Sequence, residues 1–423
     1  MKDTKNMEKE VHKYSLFNAE KIPQDARKII KDFDQIVQGV RPLNSRQLQQ
    51  LPENIRALSH QMTDERSTRR LGYMNENIQL SSYVRYFTWW NLVRLTRLFS
   101  NLPKKSFPAE DCICLDLGSG PLTVVTALYL ARPELRNLKL KWYCLDISAN
   151  SMALGEDIYL SVCAHLNSTP WQIVRVKGSF GTVLKEKADF ITCANMINEM
   201  DQAGDMPPEF QTKKYFDQFM IYASSKADFL LIEPGVPKAA RTLSLLRERF
   251  IKKGNIIVAP CPHAYECPMS GFKAYTGSKN KWCNFAFDTT DAPEKLIKLS
   301  EKAKLPKERA TLSFISVCYD EKGGDSKEAE SSNRNSSGVL RGENNQEIKI
   351  RITSDEFRLP NYMSGHYGCS ELGLTLVETP SKNNNREKPL NISIYSGDLL
   401  SVKIKTPDSL PKDEKSGAIK VKL

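Results

Sequence analysis

Read for the spacing of apolar and polar positions, the chain changes period three times. From about residue 15 to 105, apolar positions recur at helical spacing, most clearly through Ile29–Val40 and Leu48–Leu58. This predicts a helical N-terminal region over residues 1–105. Within it, the stretch Tyr83–Phe99 mixes aromatic residues with Arg85, Arg94 and Arg97. Such a mixture can stack on bases and pair with phosphates, although an aromatic stripe at this spacing more commonly packs a core.

From Cys112 to about Tyr319 the pattern alternates. Short apolar runs at 112–117, 140–146, 172–177, 188–193, 228–233, 256–260 and 312–319 read as strands. Helical patterns at Leu122–Ala131, Ser148–Leu166, Lys213–Ser224 and Lys238–Lys252 fall between them. Repeated strand–helix alternation predicts an α/β fold, a doubly wound parallel sheet of seven strands over residues 106–320 with a long insertion before the last strand. Residues 321–346, rich in Ser, Asn and charge, cannot bury a core and read as a linker or insertion. Beyond them, Ile348–Ile352, Leu374–Glu378, Asn391–Tyr395 and Leu400–Lys405 look like strands, giving a small β-rich region over 347–423.

Composition narrows the class. The chain has 423 residues, longer than one average domain, and a 40% hydrophobic share that can build real cores. No apolar run is long enough to span a membrane, so no membrane partner is expected. A net charge of +11 suits a polyanion such as RNA. From Lys382 to Leu423 there are nine Lys and Arg against five Asp and Glu, a basic tail that could touch RNA or merely be solvated. Residues Met1–Lys21 mix Lys with Asp3, Glu8 and Glu10 and hold no apolar core, unlike a secretory signal or a transit peptide. The expected location is cytoplasmic. In that reducing setting the ten cysteines read as core thiols, metal ligands or reactive thiols, not disulfides.

The stretch Cys112–Leu122 carries the first candidate site. A strand ends near Asp116, Gly118, Ser119 and Gly120 form the turn, and a helix opens at about Pro121. Such a turn gathers backbone N–H groups and a positive helix end at one spot, where a cofactor can approach. Leu122 stands where a dinucleotide fingerprint would place its third glycine, which argues against NAD or FAD. The second strand ends at Asp146, whose carboxylate can accept both hydroxyls of a ribose. Asn198 and Glu199 follow the strand at 188–193, at the carboxyl edge where α/β ligands sit. They are candidate catalytic residues that could orient or deprotonate a substrate, or only cap the next helix.

Cysteines supply the second candidate. Cys261, Cys267 and Cys283, with five and fifteen residues between them, lie in the insertion at 259–290, two of them in Cys-Pro dipeptides. Cys369, in a Gly-rich stretch read as a turn, is the candidate fourth ligand; Cys318 competes but lies in an apolar strand. Cys112, Cys114, Cys144, Cys163 and Cys193 fall in predicted strands or a helix and read as core. His263 and His366 flank the ligand candidates and could replace a thiolate or hydrogen-bond one. Spacing alone does not decide between zinc and iron–sulfur. Paired Cys-x2-Cys knuckles typical of zinc are absent, and irregular spacing with Cys-Pro is more typical of a [4Fe–4S] cluster. No Cys-x3-Cys-x2-Cys run is present, so the centre is expected to be structural, clamping the C-terminal region to the insertion.

The Asp-x-Gly-x-Gly turn with Asp146 resembles the class I S-adenosylmethionine-dependent methyltransferases. With the Ala-Pro-Cys-Pro-His stretch at 259–263, Trp282-Cys283, the late Gly-His-Tyr-Gly-Cys369, the Tyr83–Asn91 aromatics and Asn198-Glu199, about residues 80 to 380 resemble a narrower family. This is the methyltransferase-like small-ribosomal-subunit assembly family, known from mitochondria and with bacterial relatives. The resemblance implies a seven-stranded class I sheet that holds S-adenosylmethionine, with Asp116, Gly118, Ser119, Gly120 and Asp146 as cofactor-binding positions. It also implies a [4Fe–4S] cluster on Cys261, Cys267, Cys283 and Cys369, with zinc as the alternative. The expected function is an rRNA methyltransferase, or a methyltransferase-like factor, acting on small-subunit rRNA or the assembling small subunit. A non-catalytic rRNA-binding assembly factor is the alternative, and a zinc-containing small-molecule methyltransferase the third reading. The free protein is expected to be a monomer.

Overall fold

The computed structural model describes residues 11–63, 76–200, 206–272, 281–320, 346–381, 392–404 and 410–423. Its first element is a strand, β1 (His12–Ser15), inside the region read as helical. Four residues with no apolar alternation give no strand signal of their own; β1 exists because a C-terminal strand pairs with it. Helices α1 (Gln24–Lys31), α2 (Phe33–Val40), α3 (Ser45–Thr63), α4 (Asn77–Tyr83) and α5 (Trp89–Asn101) follow, with one π-helical turn over Val84–Thr88. The Ile29–Val40 pattern is thus two helices, parted at Asp32. The aromatic stripe packs the core: Tyr86, Trp89 and Trp90 are at most 3% exposed. Their polar tips are satisfied inside, Trp89 Nε1 donating to Ile30 O and Trp90 Nε1 to Ser300 Oγ, so these rings cannot stack on bases.

The central sheet uses β2 (Ile113–Leu117), β3 (Lys141–Asp146), β4 (Gln172–Lys177), β5 (Ala188–Ala194), β6 (Ala223–Glu233), β7 (Ile256–Ala259), β8 (Phe285–Asp288) and β9 (Arg309–Cys318). Its helices are α6 (Thr123–Ala131), α7 (Ala149–His165), the short α8 (Ile197–Met200), α9 (Pro208–Tyr222), α10 (Pro237–Lys252) and α11 (Glu294–Lys302). The strand order is β4-β3-β2-β5-β6-β9-β7. Strands β4, β3, β2, β5 and β6 run parallel, while β9 runs antiparallel to both β6 and β7. The sheet is therefore mixed, where strand–helix alternation predicts a parallel one. The chain leaves β7, returns through the insertion and α11, and slots β9 between β6 and β7 in the reverse direction. An eighth strand, β8, pairs with β9 beside the seven-stranded path and arises within the insertion.

Apolar residues cover both faces of this sheet, as expected for strands flanked by helices. One face packs Cys114, Trp142, Cys144 and Phe190 against α5, α6 and α7, and the same core continues through Trp89 and Phe33 into the N-terminal helices. The other face packs Leu115, Leu117, Ile191 and Leu231 under α9 and α10.

The C-terminal sheet contains β10 (Gln346–Ile352), β11 (Phe357–Leu359), β12 (Met363–Ser370), β13 (Gly373–Pro380), β14 (Asp398–Ile404) and β15 (Ile419–Lys422), in the order β1-β14-β10-β12-β13-β15 with β11 on β12. It has its own core of Ile348, Ile350, Ile352, Val377, Leu400 and Val402. Two expectations are corrected here. The segment Asn391–Tyr395 is not a strand: Asn391 lies outside the described residues, and 392–395 enter a turn in which Asp398 Oδ2 accepts the Tyr395 N–H at 2.9 Å. Cys369 sits on a strand, not in a turn. The linker expected at 321–346 falls outside the described residues apart from Gln346, as does Lys405. Among the described residues no helix is long and apolar enough to cross a membrane.

Candidate functional site

Strand β2 ends in a turn whose three positive φ values alternate: Gly118 at 67°, Gly120 at 48° and Leu122 at 52°. The left-handed region is open to glycine and costs a leucine roughly 1–2 kcal/mol. Leu122 is nonetheless held there, fully buried, as the residue before α6. The turn's N–H groups point inward: Gly118 and Ser119 both donate to Leu145 O on β3, at 2.9 and 3.1 Å. It is therefore not the open cradle of N–H groups that the sequence pattern predicts, because the neighbouring parallel strand consumes them. The start of α6 has no side-chain cap.

Asp146, at the end of β3, closes on this turn. Its Oδ2 accepts the Gly120 N–H at 2.9 Å and its Oδ1 the Ser148 N–H at 2.8 Å. Burial raises its pKa against the pull of these N–H groups. A carboxylate has about four lone-pair positions, and the Ile147 N–H also draws on this one, so room is left for a ligand hydroxyl. A side chain at Gly120 would meet only Ser151 Oγ, at 3.9 Å, whereas one at Gly118 would strike Met196, which lies against the turn.

Asp116 and Ser119 serve the turn from beneath. Ser119 Oγ donates to Asp116 O at 2.7 Å, and Thr192 Oγ1 on β5 donates to Asp116 Oδ1 at 2.6 Å. Asp116 is fully buried, and burial pushes its carboxyl up to about 7. It braces β2 against β5 from inside the protein.

Asn198 and Glu199 lie on α8, after β5, at the same edge of the sheet as the turn. Two residues that sequence reasoning missed organise this edge. Glu233, the last residue of β6 and fully buried, accepts the Ile197 N–H at 3.0 Å and the Asn198 N–H at 3.1 Å. Arg94, from α5, donates to Asn91 Oδ1 at 2.9 Å, Asn195 Oδ1 at 3.1 Å and Thr311 O at 3.1 Å, and feels the Glu233 charge. Glu233 had a readable signal, an acid ending an apolar strand just before Pro234-Gly235; Arg94 had none beyond its place in an aromatic stretch.

The insertion and the C-terminal sheet meet at the cysteines. Cys261 and Cys267 follow β7, Cys283 precedes β8, and Cys369 lies on β12. The Cys283 thiol lies in the field of Cys261, Cys267 and Cys369, and Cys369 in that of Cys261 and Cys267. Burial pushes the Cys267, Cys283 and Cys369 thiols up. His263 Nε2 lies 3.2 Å from Cys369 Sγ, and burial lowers this imidazole to about 4. His366 is buried on β12. Cys318 ends β9, while Cys114, Cys144, Cys163 and Cys193 are buried in the core. Among the described residues no three His, Cys, Asp or Glu side chains form a group that could hold a metal ion.

A family model described as mitochondrial small ribosomal subunit Rsm22 matches residues 95–327. No curated protein matches the chain in sequence. Solved structures with similarity include a methyltransferase from Geobacter sulfurreducens bound to S-adenosyl-L-homocysteine, at 10% identity and TM-score 0.30, covering 54% of this chain and 90% of that one. One from Thiobacillus denitrificans, also with S-adenosyl-L-homocysteine, gives 13% identity and TM-score 0.31, covering 54% and 91%. A putative class I methyltransferase from Listeria monocytogenes gives 13% and 0.29, covering 74% and 92%.

Proposed function

Because the chain belongs to the Rsm22 family, we propose that it is an S-adenosylmethionine-dependent methyltransferase, or a close derivative of one, that acts on small-subunit rRNA during assembly of the small ribosomal subunit. The observation that carries the cofactor reading is Asp146 closing on Gly120 at the end of β3, with acceptor capacity left for a ribose hydroxyl. The open approach at Gly120 fits a nucleoside laid against the turn. When bound, S-adenosylmethionine supplies a methyl group activated on a sulfonium.

This chain's residues would do the rest. Asp146 orients the ribose, and Asp116 keeps the turn in register with β5. Glu233 fixes α8 through the Ile197 and Asn198 N–H groups. Asn198 can hold the acceptor base by its amide, and Glu199 can take the proton that the acceptor releases. Arg94 ties the Asn195 corner to α5, so that the edge keeps its shape.

One observation favours a second reading, a non-catalytic factor that grips rRNA with an inherited fold. Met196 lies against Gly118, where the methionine end of the cofactor would approach. Mapping methylated nucleotides in small-subunit rRNA with and without the protein separates the two. A methyl group that disappears with the gene, and with Asp146→Ala, supports the enzyme; an unchanged methylation map with defective subunits supports the gripping factor.

For the thiol site we propose a [4Fe–4S] cluster on Cys261, Cys267, Cys283 and Cys369. Four thiols sharing one field supply a suitable donor set. A tetrahedral zinc site needs its sulfurs about 3.8 Å apart. A cluster that gives each thiolate its own iron spreads them wider. A free monomer in the cytoplasm completes the reading. Imaging the full-length protein tests the compartment, and a mitochondrial signal would overturn that part.

A further inference from the structure

Two buried guanidiniums face the four thiols. Arg247, on α10 and 2% exposed, donates Nε to Cys261 Sγ at 3.1 Å and Nη2 to His263 O at 2.7 Å. Arg351, on β10 and 5% exposed, donates Nε to Pro260 O at 2.8 Å and Nη1 to Gly397 O at 2.6 Å. It stands directly opposite Cys369 in the β10–β12 register. One cation thus comes from the central fold and the other from the C-terminal sheet, and they approach the same thiols.

The groups that act most strongly on Arg247 are Cys261, Cys267 and Cys369, and those on Arg351 are Cys261, Tyr14, Cys283 and Cys369. None of these is a carboxylate. Arginine does not give up its proton in proteins, and a buried charge is tolerated only when paired. The acceptors these two guanidiniums reach are the Cys261 sulfur and the carbonyls of His263, Pro260 and Gly397, and carbonyls carry no full charge to pair with them. Four thiolates on a doubly positive metal core form a dianion, which balances two guanidiniums.

We propose that Arg247 and Arg351 are the counter-ions of a four-thiolate metal centre, so that the centre is held as a dianion and the C-terminal sheet docks through it. This rests on the metal reading of the thiol site. Both arginines are positioning residues: they touch a ligand sulfur or the backbone that carries it, and no reacting atom. Arg351 also explains the docking, because its bond to Pro260 O joins β10 to the loop that carries Cys261.

The test uses the full-length protein purified without oxygen, as wild type, Arg247→Gln, Arg247→Lys and Arg351→Gln. Arg136→Gln, a buried arginine paired with Asp25 and distant in sequence from the thiols, controls for general destabilisation. Metal per chain and the rate of metal loss to an excess of ferrous or zinc chelator are measured. The expected result is loss accelerated about tenfold or more in each Gln variant, as is usual when a ligand's supporting partner is removed. Arg247→Lys should retain metal better than Arg247→Gln, and Arg136→Gln should release it at the wild-type rate. If Arg351→Gln does not fold, the Arg247 pair decides alone. Equal rates in wild type and the Gln variants overturn the counter-ion proposal while leaving the metal reading intact. A wild type that carries no metal overturns both.

Discussion

The two candidate sites differ in where their parts come from. The backbone hydrogen bonds of the glycine turn are made within one contiguous stretch, β2 through α7, with Thr192 and Met196 as its neighbours from beyond it. The thiol site draws on the loop after β7, the segment before β8, and a strand of another sheet. The first is a local solution to a local problem. The second brings thiols from two sheets against two buried guanidiniums. The difference implies that damage to the turn costs binding, whereas damage to the thiol site costs structure.

The largest expected effect tests that division. Cys369→Ser should remove the metal and undock the C-terminal sheet, a loss on the order of 10 kcal/mol if metal binding is folding energy there. Limited proteolysis should then cleave the C-terminal region while β2–β9 stays protected. Loss of both sheets together would show that the thiol site supports the whole fold and not the C-terminal sheet alone.

The second prediction concerns pH. Asp116 is buried with its carboxyl raised from 3.8 to about 7. Between those values the unfolded chain binds fewer protons at this group than the folded one, so stability falls as pH rises from about 4 to 7 and then levels. The group should cost as much as about 4 kcal/mol above pH 7. Asp116→Asn should flatten that decline in urea melts taken from pH 4.5 to 8, and parallel curves for both proteins would contradict it.

Gly155 offers a smaller effect. A side chain there would lie 2.3 Å from Pro121 C, so the backbone of the turn must move. Gly155→Ala should cost about 1–3 kcal/mol and weaken nucleoside binding without changing metal content. Calorimetry and metal analysis on one preparation read both. Smallest of all, Cys112→Ser should alter stability by no more than about 0.5 kcal/mol and leave metal content unchanged, since Cys112 lies outside the thiol group.

Local signals were legible in the chain and distant ones were not. Strand β4 is read to the residue, because its apolar run is bounded on both sides. Strands β1 and β8 are four residues each and exist through remote partners, so no window along the chain reveals them. Gly365 and Gly368 read as turn residues around Cys369, but they mark close packing: added side chains would strike Phe357 and Leu359 on β11 and Ile350 on β10.

 The nearest atoms are Leu359 Cδ1 at 2.8 Å and Phe357 Cε2 at 2.9 Å for Gly365, and Ile350 Cγ2 at 2.7 Å for Gly368. At the sites themselves, Gly118, Gly120, Asp146 and the four cysteines were readable as residue types at characteristic spacings. Arg94, Arg247 and Arg351 were not, because a buried arginine looks like any surface arginine until the fold sets its neighbours.

The most direct test of the central claim is calorimetric titration of S-adenosyl-L-homocysteine into the full-length protein and into Asp146→Ala, each purified without oxygen and matched for metal content. The account predicts one binding site per chain in the wild type and affinity lowered by about tenfold or more in the variant, since a charged hydrogen-bond partner is lost. No binding to the wild type, or equal binding to both proteins, would contradict it.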